Sequence, residues 1–368
     1  MIFNIRADTI DEIVGYVVPD GFSAEPRIRV VSNGEVLGRF PCTLVEPWFE
    51  RNKRHQTGLV GFKLTTRELP DLETLLDLTL LDDASGLMLY RRRDWSMHVT
   101  GGLFRLETSF LPKARLDNAA RHYFQYAATS IERYGIETVQ SMLAFENIAS
   151  IYLSGRIQPR NVLDLIEKRF SSVVAISHPA YELAVRAVVL ARTQPDTATI
   201  LTRREQAAMT DWLDLFTPEN TRDAASIIKT LKSAPTDAVA MLSSPLTKQL
   251  SGDDPSAKLS ASSLVNALDT ISQFSSVTLS EENEAMRDAI ASLAGVSNQV
   301  LPAPRMYPEL MNIADELTDS LFVQNVLETD LILYQYIKDA VARGTRASAQ
   351  KAEAEPGTPI PSEDIQSV

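Results

Sequence analysis

The chain has 368 residues, 44% of them apolar and 23% charged, and a formal net charge of −12. This is the balance of a globular protein. Its one dense basic run, Arg91-Arg92-Arg93, is too small a footprint for nucleic acid. Cys42 is the only cysteine, so neither an intramolecular disulfide nor a cysteine-based zinc site can form. The opening MIFNIRADTIDEIVGY has no basic region followed by an apolar one, and no stretch approaches the ~20 apolar residues of a membrane helix. The expectation is a cytoplasmic, bacterial protein without a transmembrane segment.

Residues 1–95 read as a small β-sandwich. EIVGYVVPD (12–20) is a short apolar strand closed by a turn. RIRVVSNGEVLGRF (27–40) alternates about Asn33-Gly34, a hairpin signal because both turn residues need φ > 0. LVGFKL (59–64), LLDLTLL (75–81) and LMLYRR (87–92) continue the pattern.

From residue 96, strands and helices alternate. HVTGGLFRLET (98–108) reads as a strand, and LDNAARHYFQYAATSIERYG (116–135) as one helix capped by Asp117. A second helix covers 136–146. IASIYLSG (148–155) is a strand and PRNVLDLIEKRF (159–170) a helix. SSVVAISHPAYELAVRAVVLAR (171–192) is a strand, a polar turn and a helix. Such alternation predicts an α/β fold with a parallel sheet. Residues 199–343 carry apolar residues at helical spacing throughout. The tail 344–368 is rich in Pro, Ser, Ala and Glu, too polar to offset its ordering entropy, and is expected to be disordered.

Turns that join a strand's C-terminal end to a helix are where α/β proteins hold anions. Three such places carry candidates: Lys113 and Arg115 after the first strand, Arg156 after the 148–155 strand, and His178 after the 171–176 strand. All three segments are expected at the rim of one cleft. His178 is a candidate general base; the alternative is a histidine that caps the helix. Glu107 ends the first strand and is a weaker candidate base. His122 reads as a half-buried structural histidine. The four histidines show no metal-ligand spacing, so no metal centre is expected. No G-x-S-x-G, Walker-type or dinucleotide glycine motif is present, and no cofactor is expected.

Two resemblances follow from these segments. SNGEVLGRFPCTLVEPWFERNKRHQTGLVGFKL (32–64) resembles a β-sandwich module that accompanies glycosyltransferases and other enzymes of bacterial surface saccharides. Trp48, in a loop with Arg54, would there stack on a sugar ring or meet a protein partner; the alternative is a loop aromatic folded onto the sandwich edge. GLFRLETSFLPKARLDNAARHYF, ASIYLSGRIQPRNVL, SSVVAISHPAYELAVRAVVL and VQNVLETDLILYQYI, in that order, resemble the successive units of sulfotransferases with a P-loop-like α/β fold. The resemblance covers most of residues 98–340. It implies a sulfotransferase-like core (96–343) with a helical C-terminal part, and a donor site for 3′-phosphoadenosine 5′-phosphosulfate.

The residues that would grip that donor have changed. Pro112-Lys113 persists, but Ala114-Arg115-Leu116 replaces the glycine and hydroxyl residues that should follow. Ser177-His178 stands where the family has Arg-Asp before Pro179. Glu182 falls where a second arginine is common, and Val185 where a serine would lie. Each lost arginine removes a charge-assisted contact worth roughly 1.5–3 kcal/mol. The sequence therefore favours a scaffold that has lost most donor contacts and acts as a non-catalytic interaction or carbohydrate-recognition protein in a surface-polysaccharide context. The alternative is a diverged sulfotransferase or other group transferase acting on a surface saccharide.

Overall fold

A computed structural model describes residues 1–92, 98–194 and 200–354. The N-terminal strands are β1 (Ile2–Asp8), β2 (Glu12–Val18), β3 (Arg27–Ser32), β4 (Glu35–Pro41), β5 (Leu44–Val45), β6 (Leu59–Thr65), β7 (Leu78–Asp82) and β8 (Met88–Arg92). They form two antiparallel sheets, ordered β1-β2-β6-β5 and β4-β3-β7-β8. Alternation sets the inner faces: Ile28 and Val30 of β3 are buried, and Arg27 is exposed. Asn33 and Gly34 both take positive φ, 50° and 84°, which lets the β3–β4 turn match the twist of its strands.

The second layer system is built on a five-stranded parallel sheet. Its strands are β9 (Gly101–Leu106), β10 (Tyr126–Ala128), β11 (Ser150–Gly155), β12 (Phe170–Ile176) and β13 (Ser276–Leu279). The order is β10-β11-β9-β12-β13, so the first strand lies in the middle. Both faces are covered, as a parallel sheet requires. Phe104, Leu106, Ile151, Leu153, Val174 and Ile176 join the core that continues into the sandwich. Leu103, Tyr152, Val173 and Ala175 join the core formed with helices Ala114–Ala120 and Ala285–Ala294. The described residues are thus mixed α/β, with one parallel and two antiparallel sheets and a largely helical C-terminal part.

The loop expected around Trp48 is a short helix, Pro47–Arg51, and three further elements differ from the sequence expectation. The single helix over 116–135 is instead the helix Ala114–Ala120, a 3-10 turn Arg121–Tyr123, the edge strand β10 and a second 3-10 turn Ile131–Arg133. Tyr126 is fully buried and β10 pairs with Ile151–Leu153, while Ser130 takes a left-handed φ of 54° that a helix cannot absorb. Sheet pairing at an edge overrides local propensity here. The region read as helical throughout contains β13, four residues too short to show a period. The last helix, Glu328–Ala354, runs on through Gly344, where the disordered tail was expected to begin. Residues 355–368 lie outside the described residues, as does the expected domain boundary near residue 95.

The sandwich and the parallel-sheet unit are joined by specific contacts. Phe3 N donates to Ser141 Oγ at 3.3 Å, and Asn147 Nδ2 to the Ile5 carbonyl at 2.7 Å. Tyr126 donates its hydroxyl to the Met88 carbonyl at 2.9 Å, and Phe3 meets Phe145 edge to face at 5.4 Å.

Candidate functional site

In an open parallel sheet, ligands bind beyond the strands' C-terminal ends, where neighbouring strands send their connections in opposite directions. Here that point lies between β9, whose connection leads toward β10, and β12, which lies beside β13. A cleft of about 840 Å³ opens there, within the usual range for small-ligand sites. Its floor includes Ser109, Ser177 and Glu182, and basic groups on its walls include Lys113, Arg115 and Arg305.

The loop after β9 folds around a carboxylate of its own. Glu107 accepts from Lys113 Nζ at 2.7 Å, from the Lys113 backbone N–H at 3.2 Å, from the Ser109 N–H at 3.3 Å and from Arg105 Nη1 at 2.8 Å. Arg105, only 1% exposed, also grips Asp117 in a two-point contact at 2.8 and 2.7 Å, and Tyr152 donates its hydroxyl to the same Asp117 at 2.6 Å. Burial pushes the Glu107 carboxyl up, but Lys113 and Arg105 outweigh it and bring it down to about 2. Asp117 is therefore the anchor of a buried ion network rather than the helix cap expected from its sequence position; Lys113 holds the cap position without a side-chain capping bond.

A second buried charge lies on the helix that follows β12. Pro179 starts this helix, Pro179–Arg192, and nearly every residue from Pro179 to Leu190 is buried. Glu182, which lines the cleft, and Arg186, one turn on, are both buried on this helix, and Arg186 meets the loop after the first strand. Arg186 stacks over the Phe110 ring at 4.1 Å and donates weakly to the Thr108 carbonyl at 3.4 Å; its Nε has no partner. Neither carboxylate oxygen of Glu182 has a hydrogen-bond partner, although the residue is only 8% exposed. Burial raises its pKa against the pull of Arg186 and Lys113; the Ser177 and Ser109 hydroxyls are near enough to add a smaller lowering but not at hydrogen-bonding geometry.

The structure separates the sequence candidates. Lys113 and Arg115 reach the cleft, whereas His178 and Arg156 do not line it; of the segment around His178, Ser177 does. His178 caps its helix, Nδ1 accepting from the Ala180 N–H at 3.3 Å, and packs edge-on against Tyr334 at 5.1 Å. Burial lowers its pKa despite Glu281. Arg156, over the Phe110 ring at 5.5 Å, is already bound: Nε and Nη2 donate to Glu205 at 2.9 and 3.0 Å, and Glu132 lies at 3.5 Å. Arg115 enters no ion pair among the described residues.

Trp48 is 55% exposed and touches Phe49 edge-on at 5.1 Å. Arg54 turns away from it to pair with Glu137 of the parallel-sheet unit. His122 is exposed rather than half-buried. Asp330 caps the helix Pro245–Ser251 through Leu246 N, Thr247 N and Thr247 Oγ1. Among the described residues, no group of three His, Cys, Asp or Glu side chains is arranged to hold a metal ion, and no helix is long and apolar enough to cross a membrane.

Arg105 shows in the sequence only as a charge inside the apolar run GGLFRL (101–106), the mark of a buried pair. Comparison with known proteins gives no match to any family model, any curated protein or any solved structure.

Proposed function

We propose that the chain is a sulfotransferase-like scaffold that has ceased to bind a nucleotide donor and serves as a non-catalytic carbohydrate-recognition or interaction protein. The reading extends to a cytoplasmic role beside the synthesis of bacterial surface polysaccharide. One observation carries it: the Pro-Lys loop that would hold a donor's phosphate is already filled by Glu107, which takes the Lys113 ammonium and two loop N–H groups. A phosphate arriving there would have to displace a carboxylate held by four donors. Ser177 and Glu182, in place of basic groups, add nothing that attracts a second phosphate.

The competing reading, a diverged sulfotransferase or other group transferase on a surface saccharide, draws on the cleft itself, which sits where α/β enzymes keep their active sites. Thermal melting with adenosine 3′,5′-bisphosphate separates the two. A bound ligand at ~100 times its Kd stabilises the native state by about 2.7 kcal/mol. No shift at millimolar nucleotide is expected; a saturable shift abolished by Lys113→Ala would overturn the non-catalytic reading.

A further inference from the structure

The cleft joins two kinds of unsatisfied group. At its floor, the two carboxylate oxygens of Glu182 are buried with no donor at hydrogen-bonding geometry, beside the hydroxyls of Ser109 and Ser177. On its walls, Arg115 and Arg305 are exposed guanidiniums that enter no ion pair among the described residues, unlike Lys113, which is held by Glu107. The same lining carries Glu282 and Glu284, the latter paired with Arg287, together with the segment Pro302-Ala303-Pro304 and the half-exposed Tyr307, whose N–H is held by the Tyr181 hydroxyl at 3.2 Å.

The chemistry of a ligand follows from these groups. Glu182 lacks hydrogen-bond donors, and burial without them is costly. An ammonium would meet Arg186 and Lys113, both of which act on Glu182 electrostatically. Neutral hydroxyls satisfy the carboxylate without that repulsion. The unpaired arginines call for an anion, which guanidinium binds in a two-point contact. Proline and tyrosine walls suit the C–H faces of a ring.

We propose, building on the carbohydrate-recognition reading, that the cleft takes an acidic sugar unit. Its ring hydroxyls point to Glu182 and the floor serines, and its acidic group points to Arg115 and Arg305. The space of about 840 Å³ accommodates such a unit with a neighbour in a chain.

Calorimetric titration of the full chain with D-glucuronate and D-galacturonate, against D-glucose and inorganic phosphate, tests this. At least one acidic sugar is expected to bind more tightly than either control. Arg305→Ala, at an exposed position, should weaken that binding roughly tenfold or more, the worth of one charge-assisted contact, and leave D-glucose unaffected. Glu182→Gln should weaken every sugar and, because it removes a negative charge, should not weaken inorganic phosphate. Failure of both acidic sugars to bind at millimolar concentration, affinity no better than that for inorganic phosphate, or indifference to both substitutions would overturn the proposal. A null result with the sugars leaves the non-catalytic reading standing with a protein partner; a nucleotide shift removes that reading whatever the sugars do.

Discussion

Lys113 donates its ammonium to Glu107 at 2.7 Å, within a loop whose own backbone N–H groups turn to the same carboxylate. The cation that the sequence offers to a ligand is thus neutralised from inside the chain.

Replacing Glu107 by Ala leaves Arg105 and Lys113 without a shared counter-charge in a buried site. The expected cost is about 3–5 kcal/mol, read from the urea midpoint. Because the vacated loop keeps its donors, inorganic sulfate should restore part of the loss in the variant and have no comparable effect on the native protein. Equal responses of the two proteins to sulfate would show that the loop is no anion cradle.

The same carboxylate sets an acid limit. Its folded pKa, about 2, lies below the ordinary glutamate value of 4.5. A depressed carboxyl contributes stability in full above the ordinary value and loses it as pH falls toward the folded one. Stability should therefore drop between those limits by on the order of 3 kcal/mol from this group. Denaturation measured across that range in the native protein and in Glu107→Gln should give the shallower slope in the variant.

Glu182 behaves in the opposite sense. Its folded pKa is raised by burial, so its charge is a burden at neutral pH that acid relieves. Glu182→Gln should raise neutral-pH stability by about 1 kcal/mol, with the gain shrinking as pH falls through the carboxyl's raised pKa. A lower melting temperature in the variant at neutral pH would mean that Arg186 depends on this partner more than burial penalises it.

Gly155 closes β11 where another segment presses on the strand. A methyl group there would lie 2.7 Å from the Ile131 backbone nitrogen and against the Glu132 carboxylate. Gly155→Ala should cost about 1–3 kcal/mol of stability. It should also disturb Arg156, whose backbone N–H donates to that Glu132 at 2.9 Å. Chemical denaturation checks the first effect, and the chemical shift of the Arg156 amide the second.

Much of the framework was legible in the sequence because it rests on local pattern. The Asn33-Gly34 hairpin, the strand of 148–155 and the helix opened by Pro179 each announce themselves through turn chemistry or period. β10 and β13 did not, since three and four residues hold no period and both owe their state to a strand far away in sequence. Convergence on the cleft was readable for Lys113 and for the segment around His178, which follow two neighbouring strands, although Ser177 rather than His178 lines it. It was misread for Arg156, because β11 lies on the other side of β9 and the acidic partner Glu205 belongs to a helix some 50 residues on. A single sequence lists charges; it does not say which of them have already found each other.

The contacts that tie Phe3, Ile5 and Met88 to Ser141, Asn147 and Tyr126 do more than orient two halves. Apolar side chains from both sides merge without a seam into one interior. The N-terminal strands and the parallel-sheet unit therefore share one core. Severed from its neighbour, either portion would present a raw oily surface to water, and the intact protein should melt in one step.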